Sequence, residues 1–92
     1  MNEVIPLRAV PKQSLVARLG GNVYAIDIVT RRGKLYITVR VNGETIARNR
    51  ALLSYAPIEG DLMLVDNEGR EDPTYQQIGK RFLLTYWPPA DE

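Results

Sequence analysis

The sequence predicts an all-β domain, a small antiparallel barrel or rolled sheet of six to eight short strands. Three observations lead there. Apolar and polar residues alternate with a period of two along most of the chain, and the 3.6-residue period of an amphipathic helix is almost absent. Turn-forming residues such as Gly20-Gly21 and Asn42-Gly43 recur at short intervals. The chain has 92 residues, a single domain spanning 1–92. That length is short for two full sheets, so closure is the simplest way to hide sheet edges.

Glu3 to Leu7 reads as a short edge strand, because Pro6 cannot donate to a ladder on both sides. Ser14 to Leu19 sets Leu15, Ala17 and Leu19 against Val16 and Arg18. Gly20-Gly21-Asn22 then turns the chain, since these residues tolerate positive φ. In Val23 to Thr30, Tyr24, Ile26 and Ile28 share one face. Val23, Ala25, Asp27 and Val29 share the other. Arg31-Arg32-Gly33 is the next turn. Lys34 to Val41 is the clearest strand, with Leu35, Ile37, Val39 and Val41 opposed to Lys34, Tyr36, Thr38 and Arg40. Such alternation means one buried and one wet face.

Asn42-Gly43 is a strong hairpin signal, because both central positions of a type I′ turn need positive φ. The returning strand runs from Glu44 to about Arg48. Ala51 to Ile58 is a further candidate strand, ended by Pro57 and Glu59-Gly60. Leu62-Met63-Leu64-Val65, within Asp61 to Asp66, reads as a strand covered on both faces. Asn67-Glu68-Gly69 turns out of it, and residues 70–80 form a polar loop. Arg81 to Trp87 is the last strand, and Pro88-Pro89 ends it. The expected core is Leu19, Ile26, Ile28, Leu35, Ile37, Val39, Leu62, Leu64, Phe82 and Leu84.

Composition narrows the chemistry. With no cysteine and no histidine there can be no disulfide, no thiolate nucleophile and no Ser-His-Asp triad. The usual zinc sites go with them, and no cofactor is expected. The absence of cysteine fits folding in a reducing compartment such as a cytoplasm. Ser14 and Ser54 lie in no nucleophile-elbow sequence, and no phosphate-cradling glycine motif occurs. Asp61, Asp66, Glu68, Glu71 and Asp72 cluster in sequence, but they flank turns, where Asp is common for backbone reasons. The reading is not an enzyme. The start, with Glu3, Pro6 and Arg8, is not expected to be a signal peptide. No stretch approaches the roughly 20 apolar residues of a membrane span.

The net charge of +1 hides an asymmetry. Residues 1–50 carry nine bases and three acids, a surplus of six; residues 51–92 carry three bases and eight acids, a deficit of five. If the halves present different faces, the molecule is a dipole suited to unlike neighbours. The ordinary expectation is that antiparallel pairing mixes the halves and cancels the asymmetry. Arg31-Arg32-Gly33-Lys34 concentrates bases at one hairpin tip. Tyr36 lies on a polar strand face with Arg40 two pleats on. An aromatic beside arginine could stack bases, but no second aromatic completes a platform and the pI of about 8.0 is modest, so no nucleic acid is expected. As partner-contact residues the sequence offers Arg31, Arg32, Tyr36, Arg40, Tyr75 and Trp87. A stiff Pro88-Pro89 terminus could dock in a neighbour's groove.

The order of short motifs resembles the baseplate plug family of contractile-tailed phages, of cyanophage type. Ile5-Pro6-Leu7 is followed by Val10-Pro11-Lys12-Gln13-Ser14-Leu15, then Arg18-Leu19-Gly20-Gly21 and Val41-Asn42-Gly43. Gly60-Asp61-Leu62, Asp66, Asn67 and Gly69 come next. Asp72-Pro73-Thr74-Tyr75, Gly79 and Arg81-Phe82-Leu83-Leu84-Thr85-Tyr86 complete the pattern over nearly the whole chain. It departs between Arg48 and Ile58, where family members are often longer. The resemblance implies a structural protein of the virion, made in the host cytoplasm and placed in the tail baseplate. It would bind tube, hub and spike proteins in multiple copies. The competing reading from the residues is a small OB-like or SH3-like barrel that binds nucleic acid or a peptide.

Overall fold

The computed structural model describes residues 3–58 and 61–87. Eight strands build it: β1 (Glu3–Ile5), β2 (Lys12–Leu19), β3 (Asn22–Arg31), β4 (Lys34–Val41), β5 (Glu44–Ala51), β6 (Pro57–Ile58), β7 (Leu62–Asp66) and β8 (Phe82–Tyr86). A single 3₁₀ turn, Tyr75–Gln77, interrupts the loop before β8. No described helix is long and apolar enough to cross a membrane. The Glu59-Gly60 turn and the Pro88-Pro89 terminus lie outside the described residues.

Strands β2 to β5 form an antiparallel meander in the order β2-β3-β4-β5. Its three hairpin loops have two residues each, Gly20-Gly21, Arg32-Gly33 and Asn42-Gly43, and φ is positive at all six positions. This is the primed geometry, whose twist matches that of the flanking strands. Arg32 takes it without glycine's freedom, at φ 50. Asn42 also ties the meander together. Its amide donates to the Val23 carbonyl at 2.8 Å, and its side-chain oxygen accepts from the Val23 amide at 2.9 Å.

The second sheet has the order β1-β8-β7-β6 and is likewise antiparallel where its named strands pair. The expected barrel is therefore corrected to two four-stranded sheets that do not close on one another. The physical reason lies in strand length. A second sheet of three-, five-, five- and two-residue strands needs little chain, and its short outer strands already blunt the edges that closure would hide.

One hydrophobic core joins the layers. All ten expected core residues are buried, and Ile5, Tyr24, Ala47, Leu52, Ile58, Ile78 and Tyr86 join them. Fully burying an aliphatic side chain such as Ile37 or Leu64 stabilises by about 1.5–3 kcal/mol. Strand β7 differs from its reading in detail: Leu62 and Leu64 are buried, but Met63 and Val65 on its outer side are only half-covered.

The candidate strand Ala51 to Ile58 is not one element. Strand β5 runs on to Ala51 through register shifts against β4. Leu52 then enters the core and donates its amide to the Leu35 carbonyl at 2.9 Å. Ser54 bridges Leu64 in parallel, and Tyr55 sits at φ 63. This stretch carries the chain from one sheet to the other, which divides what reads as a single run.

Candidate interaction surface

Chain order and sheet membership coincide. The β2–β5 sheet uses residues 12–51, with eight bases and two acids. The other sheet and its loops draw mainly on residues 52–87. Antiparallel pairing therefore hardly mixes the two halves, contrary to the ordinary expectation: only the three-residue β1 crosses from the first half into the other sheet.

Cross-strand register defines the outer face of the basic sheet. Lys12, Val29, Tyr36 and Ala51 form one row. Ser14, Asp27 and Thr38 form the next, and Val16, Ala25, Arg40 and Thr45 the third. Arg18 pairs with Val23 beyond one end, and Arg31 with Lys34 beyond the other. Lys12, Arg18, Arg31, Lys34 and Arg40 thus share one face. Asp27 is the one acid in these rows, and it accepts a hydrogen bond from the Ser14 hydroxyl. Val16 is 69% exposed among these charges.

Four of the six sequence-selected contact residues meet here. Arg31 places its guanidinium 5.8 Å from the Tyr36 ring centroid, a cation–π distance. Arg40 lies two pleats along from Tyr36, and Arg32 is exposed at the hairpin tip. Arg31 thus packs against the half-buried Tyr36 ring. The other two residues lie elsewhere. Tyr75 is half-buried in the 3₁₀ turn and packs against the core. Trp87 belongs to the opposite layer.

Among the described residues, the paired rows of that layer's outer face hold no charged side chain, and Asp61 flanks them where its carbonyl accepts from the Trp87 amide at 2.7 Å. Val4, Thr85, Met63 and Pro57 align across its four strands, with Leu83 and Val65 paired beside them. Trp87 donates from Nε1 to Thr85 Oγ1 at 2.7 Å, and Thr85 donates to the Met63 carbonyl at 2.6 Å. Thr85 is consequently buried on a face that otherwise looks outward. Trp87 stays 44% exposed and Val4 55% exposed.

Sequence reasoning overlooked one polar centre. Asp66 is buried and accepts from Arg81 Nε at 2.7 Å and Arg81 Nη2 at 2.9 Å. It also accepts from the backbone amides of Glu68 and Glu71, each at 2.9 Å. The Arg81 hydrogen bonds hold its carboxyl well below the usual carboxylate range, with the two amides assisting and burial opposing. The turn chemistry was readable from Asp66-Asn67-Glu68-Gly69, but the arginine comes from 15 residues away. The centre is structural: it pins the 66–71 turn to β8.

Among the described residues no group of three acidic residues could hold a metal ion. A small cavity of about 260 Å³ lies where Tyr36 and Leu53 meet Pro73. Its polar lining comes from Lys34, Tyr36, Asp72 and Thr74.

The class that the fold defines is a two-layer, all-β domain of two four-stranded sheets with a basic outer face on one of them. The particular family follows from comparison. The chain belongs to the family described as cyanophage baseplate Pam3 plug gp18, whose pattern it matches over residues 2–89. That family is a structural baseplate plug, not an enzyme class. No curated protein matches the chain.

Proposed function

We propose that this chain is a docking module of the phage tail baseplate, which binds neighbouring tail proteins near the tube end and its hub and spike. The basic face of the β2–β5 sheet meets an acidic neighbour. The uncharged face around Trp87 meets a second, less polar one. In this role the domain helps close the tube before infection and yields when the sheath contracts. It works in multiple copies in the virion tail after synthesis in the host cytoplasm.

The observation that carries the reading is the placement of Lys12, Arg18, Arg31, Lys34 and Arg40 on one sheet face with a single acid among them. Family membership says where such a face would be used. Opposed charge across an interface sets orientation and suppresses wrong partners. Rim charges act on encounter more than on affinity, so one reversal is not enough. The double variant Arg31→Glu/Arg40→Glu should fold normally, because both side chains are exposed, yet be depleted from purified tails. Incorporation equal to the wild type would refute this face as a docking surface.

A further inference from the structure

We propose that β2 is an acceptor edge, to which a partner protein adds an extended acidic segment as a fifth strand of the basic sheet. The inference deepens the docking function above and rests on it for the partner's place, but not for the edge itself.

Sheet edges are templates for foreign strands unless something blunts them. Among the described residues, β1 has three residues and β6 has two. Strand β5 is broken by register shifts against β4, with Asn49 at φ 49 inside the first of them. Strand β2 has none of these defences. It holds no proline and keeps an unbroken eight-residue register with β3, its one hydrogen-bonded neighbour among the described residues.

The hairpin fixes which backbone groups are free. A two-residue loop at Gly20-Gly21 makes Leu19 and Asn22 a pair that exchanges both hydrogen bonds. Alternation then turns the backbone groups of Ala17, Leu15 and Gln13 toward β3. Those of Lys12, Ser14, Val16 and Arg18 turn away. An independent contact agrees with this assignment. Val23, opposite Arg18, uses both its carbonyl and its amide on Asn42.

Side chains along the edge select the occupant. Lys12 and Arg18 flank the exposed Val16. A second copy is disfavoured: antiparallel self-pairing centred on Leu15 sets Lys12 opposite Arg18. It also joins two sheets that each hold eight bases against two acids. Like charges directly opposite destabilise a strand pair. An incoming strand with carboxylates opposite Lys12 and Arg18 and an apolar residue near Val16 gains on each count. A cleft of about 430 Å³ beside the first half of β2, walled by Pro6, Arg8 and Val10, receives its inward side chains. Gln13 holds that wall, accepting from the Arg8 amide at 3.0 Å and donating to its carbonyl at 2.7 Å.

Val16→Pro tests the edge selectively. It removes one outward N–H and takes no bond from the β2–β3 ladder, a position where proline is tolerated. The probe is the symmetric peptide Glu-Thr-Val-Thr-Val-Thr-Glu, whose glutamates and valines share one face, added to the purified chain and followed by amide hydrogen exchange. Binding is expected to slow exchange at Lys12, Ser14, Val16 and Arg18. It should weaken about tenfold in Val16→Pro and clearly less in Val16→Thr, which keeps the outward N–H. Should Val16→Pro unfold more easily, Lys12→Glu/Arg18→Glu serves instead: preference must switch to the peptide with Lys in place of Glu. No protection at these four amides at millimolar peptide, or no switch, overturns the proposal. Because this uses the free chain, its failure is separate from absence of the chain in tails, which would refute the baseplate reading alone.

Discussion

Four hydrogen bonds converge on the Asp66 carboxylate, two of them from one guanidinium. Its depressed folded pKa has a defined consequence for stability. Relative to an unfolded chain near the ordinary 3.8, Asp66 contributes stability that is fully present above that value. The contribution is lost as pH falls below 3.8 toward the folded value. Urea midpoints followed from about pH 6 to about pH 2 should therefore drop more steeply at the acid end in the wild type than in Asp66→Asn. Parallel curves would contradict the assignment. Two glycines allow a second test at this scale. Gly20 and Gly21 both have positive φ, but a Cβ at Gly20 would collide with the Tyr86 hydroxyl, while one at Gly21 meets nothing within 4 Å. Gly21→Ala should cost about 1 kcal/mol in backbone strain, and Gly20→Ala clearly more. Equal losses would mean that Tyr86 moves aside freely. Tyr86 itself is held edge-on to Tyr24 at 5.8 Å between centroids.

Among elements, the hairpins carry most of what the sequence makes legible. Asn42-Gly43, Gly20-Gly21 and Arg32-Gly33 announce three turns locally, and pleat alternation then assigns each strand a core face. That is why the ten expected core residues are all buried. Gly43 has φ 87, so Gly43→Val should destabilise by more than about 1 kcal/mol in thermal unfolding; an unchanged melting temperature would contradict the primed turn. Legibility fails where structure depends on distant partners. Leu52 to Ser54 looks like strand, yet its bonds go to Leu35, Leu64 and Glu71 in three different places. The Asp66–Arg81 centre and the pairing of β1 with β8 are invisible for the same reason. Of the contact residues, Arg31, Tyr36 and Arg40 could be grouped from alternation alone. Trp87 could not be placed until β8 was assigned to the other sheet. The core that joins the sheets can be probed at its centre: Leu64→Ala or Leu84→Ala should cost about 2–5 kcal/mol, because both side chains are fully enclosed.

Across the whole molecule, the decisive fact is that charge follows topology. A meander keeps residues 12–51 together, so the basic half of the chain becomes a basic layer instead of dispersing. A barrel that interleaved the halves would have lost this polarity. The two outer faces then differ in kind. One is cationic with an exposed valine at its open edge, and the other is uncharged and bordered by Trp87. Membership of the baseplate plug family, a structural class, gives such a two-faced module an assembly to belong to. Quantitative mass spectrometry of purified tails from the phage that encodes this chain tests that claim most directly. The account predicts the chain in a fixed ratio to other baseplate proteins; its absence from tails, while abundant in the producing cell, would contradict it.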